Sequence, residues 1–524
     1  MIDKASRLST IMHMDQRNSP LEDQNRKDQN DGSDKTRKFP ISAVWVISTL
    51  IFCIIFAITM APKAKAQYRE QDALGQYTSI IRNVFDFIQR HYVDEVEPKA
   101  LFEGAMSGML NSLGDPYSSF LPESDMKDLN DTTQGSFGGV GLYVSKPPSS
   151  RPDGKPEFLE IAAPIADTPG WRAGLNPSDL IIQINGESTD AMSSDEAVSK
   201  LRGQPGTEVK LLIRRGEKIE FPVTLIRAMI EVPTVKHAMI GNLGYLNIIT
   251  FTPMTVDRSR DAINDFRSKN YNGIIIDLRN NYGGLLNAAV GLTNLFVEGG
   301  VVVSTKSRIP TENQIFYARA KAAVAPEIPI VVLINRGSAS ASEIVAGALK
   351  DRGRAYLVGE KSYGKGSVQQ VYPLDKAGFK ITTARYFTPS DVNIDKIGIP
   401  PDREVLFPEL TEDDAGKLNS IINSGEITAF INNNPHASTA EIEAFARVLN
   451  GEYHLDTLIL RRLIRNEQNR TTIAPVYDLE YDVQLSEAVK ILRLENFQSL
   501  MQTTKTLRAL QEEASQDENF PLAS

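Results

Sequence analysis

One transition in the chain constrains its fold more than any other. Ile328-Pro329-Ile330-Val331-Val332-Leu333-Ile334 is an apolar run of strand length, Asn335-Arg336-Gly337-Ser338-Ala339-Ser340-Ala341-Ser342 is built mostly of small residues, and Glu343-Ile344-Val345-Ala346-Gly347-Ala348-Leu349 reads as a helix. A strand that turns through tiny residues directly into a helix belongs to an α/β domain. It exposes a serine hydroxyl at the positive end of the helix dipole. A second segment, Gly359-Glu360-Lys361-Ser362-Tyr363-Gly364-Lys365-Gly366-Ser367, comes shortly after, and its lysine stands 25 residues beyond Ser340.

A serine hydroxyl is a poor nucleophile until a base removes its proton. The five histidines, His13, His91, His237, His436 and His454, all stand outside any glycine-rich or strand-end setting. A lysine can serve when it is neutral, and burial lowers a lysine pKa by up to about 3–5 units. Lys365, between Gly364 and Gly366, projects as the one side chain of a closely approaching backbone. Ser-Lys pairs are a known variant of the triad logic.

Three other readings compete. Gly359 to Lys365 spells the start of a phosphate-binding loop, but Gly366 occupies the place of the magnesium-binding Ser or Thr. The next residues, Ser367 to Tyr372, alternate like a strand where a helix is required. Ser362-Tyr363-Gly364-Lys365 spells Ser-x-x-Lys, a motif that needs a helix, and the glycines beside the lysine oppose one. Ser340 alone could be a structural helix cap. The joint spacing of several elements favours chemistry over a cap.

With these residues in place, the chain resembles the carboxyl-terminal processing peptidases, or tail-specific proteases, from about Tyr77 to about Pro408. The resemblance implies Ser340 as nucleophile, selected over Ser338 and Ser342 by the count from Lys365, and Lys365 as general base. It implies Gln369 as the residue that orients the lysine amine. It implies an oxyanion site made by the Ala341 N–H with a glycine N–H of the Asn281-Tyr282-Gly283-Gly284 turn, Gly283 or Gly284, after the strand Gly273 to Arg279. Such donors are worth about 2.7–4 kcal/mol each. No metal or cofactor is required.

Upstream, Ser136-Phe137-Gly138-Gly139-Val140-Gly141-Leu142-Tyr143-Val144 is a glycine loop running into a strand, suited to turn N–H groups toward an anion. With Ala173-Gly174-Leu175, Ser178 to Gly186, Leu201-Arg202-Gly203 and Gly206-Thr207 it looks like a PDZ domain. That resemblance assigns Gly138, Gly139, Val140, Gly141 and Leu142 to a peptide carboxylate, with the peptide added as a strand. The chain departs from the family at Thr168-Pro169-Gly170-Trp171-Arg172, where Ser-Pro-Ala is usual. The local helix is therefore in question, and the sequence assigns no role to the large Trp171.

Length and charge set further bounds. The 524 residues, 41% hydrophobic, suffice for several domains with their own cores. A net charge of -9 leaves no basic footprint for nucleic acid. Ile41 to Ala61 is 21 residues without a charge, enough to span a bilayer. Ala64-Lys65-Ala66 offers a cleavage site before Gln67, but the apolar stretch is long for a signal peptide and a polar tail precedes it. An uncleaved anchor is the preferred reading, with secretion after cleavage at Ala66 as the alternative. Arg26, Lys27, Lys35, Arg37 and Lys38 outnumber Lys63, Lys65 and Arg69 across the span, which puts the N-terminus inside. The expected location is a bacterial inner membrane, crossed once, with the catalytic part periplasmic. Cys53, the only cysteine, lies in the span, so disulfides say nothing of compartment.

Tyr77, Ile80, Ile81, Val84, Phe85, Ile88 and Tyr92, and then Leu101, Phe102, Ala105, Met106, Met109 and Leu113, follow helical spacing. Plainly read, these are core stripes; the resemblance adds that such helices pair with another subunit. Asp115-Pro116-Tyr117-Ser118-Ser119-Phe120-Leu121 resembles a family signature, and its polar residues are given no chemical role. Beyond Pro408 helices predominate, with a capping box at Ser438-Thr439-Ala440-Glu441 and an amphipathic Leu485 to Leu494. The expectation is a multidomain α/β protein: a polar disordered tail (1–39), an anchor or signal (40–61), a helical region (67–135), a PDZ domain (136–228), a crotonase-like Ser-Lys protease core (229–408) and a C-terminal helical region (409–524). It would cut proteins near unstructured apolar C-termini. Homo-oligomers through the helical regions and an activating partner are further expectations. A tethered PDZ scaffold with an occluded core and a crotonase-type acyl enzyme are the rivals. The second lacks a carboxylate pair in the Asn281 turn and a use for the PDZ unit.

Overall fold

The computed structural model describes residues 74–146, 158–216, 218–407, 411–470 and 475–518. The expected polar tail, the stretch 40–61, the cleavage point at Ala66 and the boundary at Pro408 lie outside the described residues. Among the described residues no helix is long and apolar enough to cross a membrane. The chain divides into two compact units, 1–101 and 102–524. In the first, a helix over 74–91 carries the expected stripe, but Tyr77, Ile80, Ile81 and Val84 are exposed there, together with Leu74 and Phe87. The helical spacing is right and the burial is not.

The second unit is organised by a six-stranded sheet in the order Val235–Ile240, Leu243–Ile248, Gly273–Asp277, Ile330–Ile334, Tyr356–Gly359, Arg403–Glu404. The first pair is antiparallel and the others are parallel. Parallel strands buried on both faces read as continuous apolar runs, which explains Ile274-Ile275-Ile276 and Ile330 to Ile334. Their side chains alternate between two cores. Ile274, Ile276, Ile330, Val332 and Ile334 pack with the helices Thr255–Ser268, Leu286–Asn294 and Ala341–Asp351. Ile275, Val331 and Leu333 pack against Leu485, Ala488, Val489 and Ile491 of the helix Val483–Leu494. The C-terminal region thus covers one face of the catalytic sheet, a role its motif-poor sequence did not suggest. Four of its other helices, Glu412–Ser424, Glu426–Asn433, Thr439–Tyr453 and Thr457–Arg470, close a separate core around Ile421, Ile427, Ile442, Leu449 and Leu460.

A five-stranded antiparallel sheet flanks this core. Ala377–Phe387 pairs with Ser367–Leu374, Val301–Ser307 and Ser119–Leu121. The expected helical region 67–135 is therefore not all helix, since Ser119–Leu121 is built into this sheet. The PDZ-like unit is a further antiparallel sheet, Leu142–Ser145, Leu159–Pro164, Leu180–Ile184, Glu208–Arg215 and Ile219–Ile226, closed by the helix Ser194–Leu201 around its own core. Ser136–Gly139 pairs with Ala228–Glu231, so the chain enters and leaves this unit through one two-stranded ribbon.

Candidate active site

Parallel strands deliver their following loops to one sheet edge, the usual place for a site in an open α/β sheet. Here the loops after Gly273–Asp277, Ile330–Ile334 and Tyr356–Gly359 meet. Asn335 Oδ1 accepts the N–H groups of Asn280 at 2.9 Å and Gly337 at 3.0 Å, and Asn335 Nδ2 donates to Asn280 Oδ1. The Ala339 N–H donates to the Asn281 carbonyl at 3.0 Å, and the Tyr363 N–H donates to the Ser338 carbonyl at 3.0 Å.

The three clustered serines separate by environment. Ser338 is buried; its hydroxyl donates to the Leu278 carbonyl at 2.8 Å and accepts from the Asn335 N–H. Ser342 is buried and donates to the Asn281 carbonyl at 2.8 Å. Ser340 is half-buried at the head of the helix, with φ 55° and ψ -112°. A positive φ at a residue with a Cβ costs about 1–3 kcal/mol and persists only where the surroundings impose it. Ser362, the serine of the rejected Ser-x-x-Lys reading, is buried and bonded to Glu343 and to the Ile399 N–H. The lysine loop runs into the strand Ser367–Leu374, not into the helix that a phosphate-binding loop requires.

Glu343 joins the two motifs. Its Oε2 accepts the Ser340 N–H at 2.8 Å and the Lys365 N–H at 2.9 Å; its Oε1 accepts the Ser362 hydroxyl at 2.6 Å and the Gly364 N–H at 2.7 Å. Burial raises its pKa despite these donors. Tyr386, also buried, donates to the Lys365 carbonyl and reaches the Ser340 carbonyl at 3.2 Å.

The Lys365 amine lies 4.6 Å from the centroid of the Tyr117 ring, and among the described residues no hydrogen bond joins it to Ser340 Oγ. Its pKa is lowered, by burial first and then by the like charge of Lys380, while Asp115 and Glu343 act the other way. Asp115 accepts from the Ser118 hydroxyl and the Tyr117 N–H at 3.1 Å, which fixes the turn presenting Tyr117. Burial and the neighbouring Tyr363 push the Tyr117 hydroxyl up to about 12. Gln369 is placed elsewhere than expected: its amide donates to Ser367 Oγ at 2.9 Å and Thr382 Oγ1 at 3.2 Å, and no hydrogen bond joins it to the Lys365 amine.

On the oxyanion side the turns do come together. A Cβ at Gly283 would stand 2.9 Å from Ser340 Cβ and 3.0 Å from the Ala341 nitrogen, a separation only glycine permits. The Ala341 N–H has no acceptor among the described residues. The Gly283 N–H, however, donates to Asn281 Oδ1 at 2.9 Å, which leaves Gly284 and Ala341 as the donors without a partner in this arrangement. Sequence reasoning missed Glu343, Tyr386, Asp115 and Tyr117. The Asp-Pro-Tyr-Ser signature was the available signal for the last two.

In the PDZ-like unit, Gly139, Val140, Gly141 and Leu142 line a groove of about 240 Å³ with Val198 and Leu201 of the facing helix. Gly138 does not line it; it belongs to the ribbon, paired with Met229, and accepts the Gly203 N–H. The helix left in doubt forms as the short Pro169–Arg172.

A serine at the head of a helix, tied through Glu343 to the lysine loop and packed against the Gly283 turn, marks the molecule as a serine peptidase. The peptidase family S41 model matches residues 242–405, a PDZ domain model 160–215, and the activating protease CtpB N-terminal domain model 57–124. The carboxy-terminal-processing protease of Bartonella bacilliformis is 40% identical over 333 residues, 62% of this chain and 74% of that one. The carboxyl-terminal-processing protease of Synechocystis is 37% identical over 311 residues, 58% and 71% of the two chains. The chain belongs to the carboxy-terminal-processing protease family. Among solved structures, the photosystem II D1 C-terminal processing protease is 29% identical and covers 63% of this chain and 93% of that one at a TM-score of 0.37; the family assignment rests on the sequence relatives.

Proposed function

We propose that Ser340 attacks the scissile carbonyl after neutral Lys365 removes its proton, and that the resulting oxyanion rests on the Ala341 N–H and the Gly283-Gly284 turn. Water then hydrolyses the acyl-enzyme with Lys365 again as base. The observation that carries this reading is the Glu343 carboxylate, which binds the backbone of both residues at once. The substrates are proteins with unstructured apolar C-termini, the carboxylate received by the loop from Gly139 to Leu142 and the tail added to the strand Leu142–Ser145. The core is of the crotonase-like layout, the catalytic part stands outside the cytoplasm behind the Ile41 to Ala61 stretch, and the exposed stripe of helix 74–91 pairs with a second copy. The test is cleavage of a disordered reporter with an apolar C-terminus by the full chain, Ser340→Ala and Lys365→Ala. Loss of cutting in both variants, with circular dichroism unchanged, supports the reading. Equal cutting by all three overturns it.

The Lys365 amine resting on Tyr117 favours a second reading, a membrane-tethered PDZ scaffold with an occluded protease core. Tail binding without cutting in the wild-type chain would favour that alternative.

A further inference from the structure

Trp171 is 45% exposed, although it follows a residue pinned inside the fold. The Gly170 N–H donates to the Val140 carbonyl at 2.8 Å, and a Cβ at Gly170 would meet Leu142 Cδ2 at 2.5 Å. Glycine there lets the short helix Pro169–Arg172 sit directly on the carboxylate loop, which fixes Trp171 beside the edge strand. Trp171 and Tyr143 line one wall of a cleft of about 690 Å³; Pro233, Lys236 and Ile249 of the catalytic core line the other. Small residues, Ala162, Ala163 and Ala166, leave the floor open, and a bulge between Tyr143 and Val144 breaks the pairing beside it. Tyr143 and Ile165 line both this cleft and the peptide groove, so the two spaces adjoin along the edge strand.

An added strand presents its side chains alternately to the two faces of the sheet. Leu142 and Val144 turn toward the PDZ core, so tail residues on their side enter the groove under Val198 and Leu201. Tail residues on the other side share the face of Tyr143. We propose that this cleft is a second specificity subsite, which binds apolar or aromatic side chains at the penultimate and fourth-from-last positions of a substrate tail, against Trp171, Tyr143 and Ile249. The proposal rests on the reading of the PDZ-like groove as the tail-binding site, and it gives Trp171, a departure from the family pattern, a task.

The test uses full-chain enzyme and reporters with one common C-terminal residue, carrying Leu or Ser at those two positions. The Leu reporter should show a KM about tenfold lower than the Ser reporter, from burial of the extra apolar area. Trp171→Ala should raise KM for the Leu reporter by roughly tenfold, leave the Ser reporter and kcat unchanged, and be rescued by Trp171→Phe. Ile249→Asn, from the opposite wall, should act in the same direction. Equal KM values for both reporters with wild-type enzyme, or equal loss on both in Trp171→Ala, would overturn the subsite. Anisotropy of fluorescein-labelled tail peptides on the full-length Ser340→Ala chain reads the same preference without catalysis. Binding that prefers Leu while the wild-type enzyme cuts neither reporter would sink the Ser-Lys reading and leave the subsite standing.

Discussion

The two halves of the active site are held differently. Around the serine, polar groups are tied down one by one: Ser338 to Leu278, Ser342 to Asn281 and Asn335 to Asn280 bond across loops, and Glu343 fixes the Ser340 N–H. The lysine backbone is fixed by the same carboxylate, yet its amine rests on the face of one aromatic ring. A cation over a ring is worth about 0.5–2 kcal/mol, far less than a set of directed bonds. The Ser340 backbone is therefore the built-in part and the Lys365 amine, the proposed base, the adjustable one.

The largest effect that could break this contrast comes from Glu343→Ala. It orphans the Ser340, Gly364 and Lys365 N–H groups together and should cost roughly 3 kcal/mol or more of stability as well as activity, seen by denaturant titration. Retained stability would mean that the serine half does not owe its rigidity to this carboxylate. Tyr117→Leu removes the ring while keeping the site apolar. Charged Lys365 loses its partner, its pKa falls further, and the rising limb of kcat/KM against pH should move toward acid; Tyr117→Phe should leave it in place.

A smaller shift of the opposite sign is expected from Lys380→Met. Lys380 is the like charge that depresses Lys365, so its removal raises the Lys365 pKa and moves the limb toward alkali. The groups facing Lys365 in both experiments are Lys380, Asp115, Glu343 and Tyr117, with Tyr363 and Asp395 behind Tyr117. A limb that moves the same way in both variants would show that it does not report Lys365.

Local grammar made the serine half legible. The run Ile330 to Ile334, the small residues after it and the helix from Ala341 lie within one stretch of chain, and period and size are enough to read them. The surroundings of the amine were not legible, because Tyr117 reaches Lys365 across some 250 residues of sequence and neither residue type announces the other. Glu343 was visible only as a helix-start acid, and its hold on the lysine loop depends on the fold. Gln369 was carried over by resemblance, whereas Ser367 and Thr382 offer its amide nearer partners. The helix Val483–Leu494 showed its amphipathic face but not the sheet it covers. The ion pairs of Arg279 with Asp277 and Asp482, both at 2.6 Å, fasten it there.

The most direct test is the rate at which a fluorophosphonate labels the full chain across pH, with the adduct located by mass spectrometry. A Ser340–Lys365 pair predicts one adduct, on Ser340, forming faster as pH rises through the lowered pKa of Lys365, and a rate that collapses in Lys365→Ala while the protein stays folded. An adduct on another residue, or undiminished labelling in Lys365→Ala, would contradict it.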